Sequence, residues 1–312
     1  MSKDIVLGLD LGGTLLKWGL VDTDGKILLS GSEALHDRSQ DGATQLLKKV
    51  IVRIKIKGEY EIPVIGIGAP GLVDNTHRII RTAPNFPPWE NYSLIGDLEN
   101  LFPGHSFFLE NDANLLLYSE RRWGKARGVD NFVILTLGTG VGGAVMVNGE
   151  VLRGVGGGAG ELGHIAIDPE GPLCGCGVHG CLETFCNIKG IMSTAGELYK
   201  PDAPPGSPEE LTEAAVNGDH RALETWNRTG WALGVGIASL VNIFNPAMVL
   251  IGGGVSGAGD FILEPARKVA AERSYRLNWN DVLIERAGLG EKAGLLGAAA
   301  LAFTKTGIDL RD

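Results

Sequence analysis

Apolar positions along the chain fall into short runs separated by glycine-rich and polar turns. This spacing predicts alternating strands and helices. Ile5 to Leu11 is a continuous apolar run of strand length and reads as a buried strand. Leu15 to Val21 and Ile27 to Ser30 read as two more, with Asp24-Gly25 between them as a hairpin turn. Gln45 to Ile56 has helical spacing, and Val64 to Gly68 is a strand ending in Ala69-Pro70-Gly71. Phe107 to Glu110 is a short strand, and Ala113 to Trp123 is again helical. Phe132 to Leu137 and Gly143 to Val147 are strands, and Asn148-Gly149 is a second hairpin turn. Lys200 to Ser207 is a proline-rich surface loop. Ser207-Pro208-Glu209-Glu210 then has the form of a capping box, with proline at the first helical position. Helices follow to Phe244. Met248 to Ile251 is a strand running into Gly252-Gly253-Gly254 and another helix, and Lys292 to Phe303 is an alanine-rich closing helix.

A weak repeat runs through this pattern. Val6 to Thr14 is echoed by Val133 to Gly140: an apolar strand, a glycine and threonine turn, and a second strand closing on a polar-glycine hairpin. Two copies, each opening one half of the chain, predict a duplicated α/β nucleotide-binding fold. The length, 312 residues, exceeds what one small core needs and suits two domains.

Composition narrows the function classes. Hydrophobic residues make up 44% and charged residues 21%, an ordinary globular balance. The 47 glycines are roughly twice the usual share, and they are clustered, which argues against disorder. A net charge of −9 repels phosphate backbones and argues against a general nucleic-acid binder. The longest apolar stretch, Trp231 to Val255, carries Asn242, Asn245, Pro246 and a glycine triplet. It reads as a buried helix turning into a buried strand instead of a membrane span. Met1 to Leu7 shows no basic region followed by an apolar run, so no signal peptide is expected. The four cysteines are then expected to be reduced, in a cytoplasmic protein.

Five motifs carry candidate chemistry. Asp10-Leu11-Gly12-Gly13-Thr14 is a tight turn whose missing Cβ atoms let backbone N–H groups approach phosphate. Thr14 adds a hydroxyl, and Asp10 can hold Mg²⁺ through water. The turn lacks the Lys-Ser/Thr end of a Walker A loop and the Rossmann spacing. Gly138-Thr139-Gly140 forms a second such turn, which would clamp a phosphate tail from the other side. Glu110-Asn111-Asp112-Ala113-Asn114 lies where a strand opens a helix. Asp112 there can cap the helix, or accept a hydroxyl proton during phosphoryl transfer. His164, Cys174, Cys176 and Cys181 have the composition of a closed tetrahedral zinc site, which leaves no position for water and so points to a structural ion. Glu161, His164 and Glu183 bracket that segment. Carboxylates and imidazoles suit sugar hydroxyls, though both glutamates can equally be solvated surface groups.

Taken together, Asp10 to Thr14, Glu110 to Asn114, Leu137 to Ala144, Gly157 to His164 and Cys174 to Glu183 resemble the ROK family (repressor, open reading frame, kinase) over nearly the whole chain. The resemblance implies an actin-like fold of two domains with ATP and sugar in the cleft between them. The boundaries are expected at residues 1–115 with the closing helix of 291–312, and at 116–290. It implies Asp112 as general base, Asn111 beside the reacting hydroxyl, and Glu161, His164 and Glu183 on the sugar ring. Asn85, after Pro84 and before Trp89, resembles the sugar-contacting loop of glucokinase-like members. Gly253 and Gly254 would lie by the adenosine. The family often has Lys directly after its Asp-x-Gly-Gly-Thr motif, whereas here Leu15 and Leu16 precede Lys17, so Lys17 reaches nucleotide only if its side chain turns that way.

The implied activity is ATP-dependent phosphorylation of a hexose in carbohydrate metabolism, with glucose first and glycolysis as its setting. N-acetylmannosamine, N-acetylglucosamine and fructose are the alternatives. The implied assembly is a homodimer or homotetramer. ROK transcriptional repressors form the non-enzyme alternative, disfavoured here because Ile5 already begins the first phosphate strand and leaves no room for a helix-turn-helix.

Overall fold

Strand pairing in the computed structural model follows the repeat visible in the sequence. The structure describes residues 4–57, 61–83, 86, 89–280 and 282–308. Chain contacts divide the molecule into two units. One is Met1–Gly128 with Arg153–Ala159 and Gly288–Asp312; the other is Val129–Leu152 with Gly160–Ala287.

The first unit opens with β1 (Ile5–Leu11), β2 (Leu15–Asp22) and β3 (Ile27–Ala34). It continues through α1 (Gln40–Lys57), β4 (Val64–Ala69), the short strands β5 (Leu72–Val73), β6 (Ile80–Thr82) and β7 (Glu90–Tyr92), and α2 (Leu94–Leu101). β8 (Ser106–Asn111) and α3 (Asp112–Trp123) follow. The second unit runs through β9 (Phe132–Leu137), β10 (Val141–Val147), β11 (Glu150–Val151), α4 (Leu182–Cys186), α5 (Ile188–Leu198), α6 (Pro208–Val216) and α7 (His220–Phe244). It ends with β12 (Met248–Gly252), α8 (Asp260–Arg273), α9 (Arg276–Trp279) and β13 (Leu283–Arg286), and α10 (Ala293–Lys305) then belongs to the first unit.

Among the described residues, each unit holds a five-stranded sheet. The strand orders are β3-β2-β1-β4-β8 and β11-β10-β9-β12-β13. In both, three antiparallel strands are extended by two parallel ones, so the sheets share one topology, as the repeat predicts. All six residues of β4 and all five of β12 are buried. That explains why they read as unbroken apolar runs without a period of two. Each sheet anchors its own apolar core.

Local chemistry fixes the turns. Asn148 and Gly149 both have positive φ, at 52° and 79°, the backbone that a two-residue hairpin requires. The Ser207 hydroxyl accepts the Glu210 N–H at 3.2 Å, and Glu210 reaches back to the Gly206 N–H at 2.8 Å. α1 begins at Gln40 instead of Gln45. The Ser39 hydroxyl accepts the Gly42 N–H at 3.0 Å, so a polar first turn is capped without any apolar signal. The first unit extends to Gly128 and does not end near residue 115, because α3 continues to Trp123 and packs along α10.

α10 lies against β1 and β4 at backbone distance. A Cβ on Gly66 would stand 1.8 Å from the Ala298 carbonyl oxygen, and one on Gly8 2.5 Å from that of Leu295. Only glycine permits this approach.

Candidate active site

The first unit gathers one set of the predicted residues at the ends of β1 and β8. The turn after β1 is closed by the Gly12 N–H donating to the Leu15 carbonyl at 2.9 Å, and Thr14 holds the Leu35 N–H through its own carbonyl at 2.8 Å. That leaves Gly13 and Thr14 exposed. Lys17 stands directly opposite Asp10 in the β1–β2 ladder, and cross-strand partners share a face of the sheet. Lys17 therefore lies on the same face of the sheet as Asp10, and its positive charge acts on the Asp10 carboxylate.

Asp10 is pushed up to about 6, first by burial and then by the negative charge of Asp112, with Lys17 opposing. The two carboxylates thus feel one another. A pair of acidic oxygen donors held against such repulsion suits a hard cation such as Mg²⁺.

Asp112 is exposed at the first position of α3. The cap of that helix is Asn111, whose Oδ1 accepts the Ala113 N–H at 2.8 Å while its Nδ2 donates to the Gly71 carbonyl at 2.8 Å. Asn111 therefore does the capping that the sequence also allowed for Asp112, which lies past the cap. Beneath them Glu110, completely buried, accepts the Asn111 N–H at 2.8 Å and the Asn114 amide at 3.0 Å.

The second unit gathers the other set. The turn after β9 is closed by the Gly138 N–H on the Gly140 carbonyl at 3.0 Å, and the Ile188 N–H at the start of α5 donates to the Gly138 carbonyl at 2.9 Å. Glu183 Oε2 accepts the Val141 N–H at 2.9 Å. Gly253 joins this turn. Its φ is +81°, and a Cβ there would stand 2.2 Å from the Leu137 carbonyl oxygen. Gly254 lines a cavity of about 190 Å³ with Pro208, Glu209, Thr212, Val255, Gly257 and Ala258.

Below the turn, His164, Cys174, Cys176 and Cys181 bring one ligand atom each to within 4.8 Å of one another. His164 Nδ1 is 3.6 Å from Cys174 Sγ, and Cys176 Sγ is 3.6 Å from Cys181 Sγ. Three thiols and one imidazole nitrogen at these separations fit the tetrahedral radius of zinc. The surrounding segment has little regular structure of its own. A tight turn closed by Cys174 N–H on Val178 O at 2.8 Å and the isolated bridge of Ala166 with Cys181 provide its backbone frame. Because Nδ1 faces the cysteines, Nε2 of His164 is left for another partner. Glu161 is exposed at the turn just before it. Cys186 is buried away from this cluster, with its thiol on the Thr229 carbonyl.

Asn85 lies outside the described residues. Of its neighbours, Trp89 is a core residue, with its indole N–H on the Arg38 carbonyl at 2.9 Å. Two parts of the site escape sequence reasoning: the buried Glu110 under the Asp112 turn, and the Pro208, Glu209 and Thr212 wall beside Gly254. The motif Glu110-to-Asn114 holds the first of these in view, but a glutamate at a strand end carries no mark of burial. The second joins residues from α6 and the β12 loop, which no local pattern links.

Comparison with known proteins identifies the family and the fold. The ROK family model matches residues 6–305. A glucokinase of Thermotoga maritima is 38% identical over 319 residues, covering 98% of this chain and all of that protein. The ROK family glucokinase of Streptomyces griseus, solved with glucose and AMPPNP, superposes with a TM-score of 0.80 at 32% identity over 96% of this chain and 100% of that one. The ROK hexokinase of Thermus thermophilus gives 0.83 at 33% identity over 98% and 100%. The duplicated α/β sheets are thus the actin-like fold that the motifs implied, and the chain belongs to the ROK family.

Proposed function

We propose that this protein transfers the γ-phosphoryl group of ATP to a hexose hydroxyl, with glucose as first substrate and glucose 6-phosphate as product. The observation that carries the reading is Asp112, exposed at the first position of α3 and in electrostatic contact with Asp10 at the phosphate turn. The family relatives named glucokinase and hexokinase support the same activity.

Asp112 accepts the proton of the attacking hydroxyl, and Asn111, fixed on the Gly71 carbonyl, orients that hydroxyl. The phosphoryl transition state is loose, so placement counts for more than base strength. Gly12, Gly13, Thr14, Gly138, Thr139 and Gly140 offer backbone and hydroxyl donors to the phosphates. Lys17 adds positive charge near Asp10, and Gly253 and Gly254 border the adenosine pocket. Asp10 would hold Mg²⁺ through water, and the ion would supply charge neutralisation for the transferred group. Glu161, His164 Nε2 and Glu183 bind sugar hydroxyls, and Asn85 adds a further contact. His164, Cys174, Cys176 and Cys181 would hold a zinc ion, which would pin that segment.

Among the described residues no helix is long and apolar enough to cross a membrane, and we place the enzyme in the cytoplasm, in glycolysis, as a homodimer or homotetramer. Its two domains are those of the actin-like repeat. A coupled assay across glucose, fructose, N-acetylglucosamine and N-acetylmannosamine tests the substrate. Asp112→Asn is expected to lose about 10²-fold or more in kcat while still binding sugar. Full turnover in that variant removes Asp112 as base, and turnover confined to an amino sugar replaces glucose.

A further inference from the structure

We propose that Arg153, through its buried ion pair with Glu110, is a positioning residue for the base Asp112. The inference rests on the kinase reading above. The pair is largely shielded from solvent, with the Glu110 side chain 0% and the Arg153 side chain 14% exposed. Glu110 divides its oxygens. Oε1 accepts the Asn111 N–H at 2.8 Å and the Asn114 amide at 3.0 Å, gripping both sides of Asp112. Oε2 takes the Arg153 guanidinium.

His77 also approaches Oε2, at 3.4 Å. Its Nδ1–H donates to the Leu109 carbonyl at 3.1 Å, and burial holds the imidazole below its ordinary value. A neutral His77 leaves Arg153 as the cation that balances Glu110.

Arg153 is held in turn from the β5 side. Its Nη2 donates to the Asp74 carbonyl at 3.0 Å. The Asn75 amide donates to the Gly154 and Val155 carbonyls, each at 3.0 Å. Gly157, at φ +85°, passes so close to the Val73 carbonyl that a Cβ would stand 2.2 Å from its oxygen. The guanidinium therefore sits at the start of the segment that leads, a few residues on, to Glu161 and His164. One buried charge pair fixes the turn that carries the base and docks the segment that precedes the sugar-binding residues.

Among the described residues the pair touches the Asn111–Asn114 turn and the Asp74 carbonyl, and not Gly12, Gly13 or Thr14, so its loss should act on the reacting hydroxyl more than on nucleotide. Arg153→Met is expected to lower kcat at least about tenfold, since small misplacement of a catalytic group is costly. It should raise the KM for sugar and leave the KM for ATP within about twofold. Arg153→Lys keeps the charge but not the fork to Asp74, and should recover part of kcat. The double variant Glu110→Gln/Arg153→Met should be less impaired than the product of the two single losses, because neither partner is then left buried and unpaired.

Where Arg153→Met does not fold, Glu110→Gln, which preserves the shape of the side chain, carries the test through the same split between kcat and ATP KM. Unchanged kcat in the single variants, or a parallel loss of kcat and ATP affinity, overturns the proposal. Absence of turnover by the unmodified enzyme on every hexose overturns the kinase reading instead.

Discussion

Glu183 ties the cysteine-rich segment to the glycine turn: its Oε2 accepts the Val141 N–H at 2.9 Å, and its Oε1 stands 3.6 Å from Cys174 Sγ. A residue assigned to sugar thereby also shapes the turn assigned to phosphate. Glu183→Ala leaves the Val141 N–H unpaired, a loss of about 1–3 kcal/mol. The KM for ATP and for sugar should each rise by about tenfold. In Glu183→Gln the amide oxygen can still accept from Val141, so only the sugar KM should move. Steady-state kinetics with each substrate varied in turn separates the cases. An alanine variant with unchanged ATP KM would show that the turn does not depend on this contact.

Asp10 gives the ligand-free protein a pH dependence whose sign follows from its raised value. The folded state holds the proton up to about 6 and the unfolded chain releases it near 3.8. Between those values the folded state binds more protons, so stability falls as pH rises through this window. The full contribution, roughly 3 kcal/mol, is present below about 3.8 and lost above about 6. Asp10→Asn should therefore raise Tm at pH 7.5 in EDTA without nucleotide, and the gain should vanish near pH 4. Calorimetry of both proteins across pH 4–8 checks this. A lower Tm for Asp10→Asn at pH 7.5 contradicts it.

What could be read from the sequence was local. The glycine turns, the Asn148-Gly149 hairpin and the His164, Cys174, Cys176 and Cys181 set each lie within a short stretch whose backbone or ligand chemistry is explicit. The duplicated topology was legible because its two opening strands repeat. β5, β6 and β7 were not, since strands of two or three residues carry no period. The Glu110–Arg153 pair joins positions 43 residues apart. Both side chains look like ordinary surface charges until the fold buries them. The orientation of Lys17 needed the register of β1 against β2, which depends on how many residues the turn takes up.

The metal reading predicts one zinc ion per chain by elemental analysis. Cys176 is the exposed ligand. Cys176→Ser should lower zinc occupancy and destabilise the fold by at least about 2 kcal/mol, since this segment belongs to no regular sheet or helix and its turns would lose the ion that joins them. Sugar KM should rise with zinc loss, because His164 Nδ1 is then no longer fixed, while ATP KM changes less. Full stability in a chelator-treated, zinc-free protein contradicts a structural ion.

Two glycines of the first unit separate fold from function. A Cβ on Gly66 would stand 1.8 Å from the Ala298 carbonyl oxygen and 2.7 Å from its carbon, both backbone atoms that no rotamer can move. Gly66→Ala must displace α10 from β4 and should cost about 3 kcal/mol, read as a lower denaturation midpoint. A Cβ on Gly13 meets nothing within 4 Å, and the residue has no positive φ to strain. Gly13→Ala should therefore fold with an unchanged midpoint, yet its methyl would occupy space at the phosphate turn. ATP KM should rise about tenfold or more with sugar KM little altered. If Gly13→Ala retained its ATP KM, phosphate would not approach the backbone at this turn.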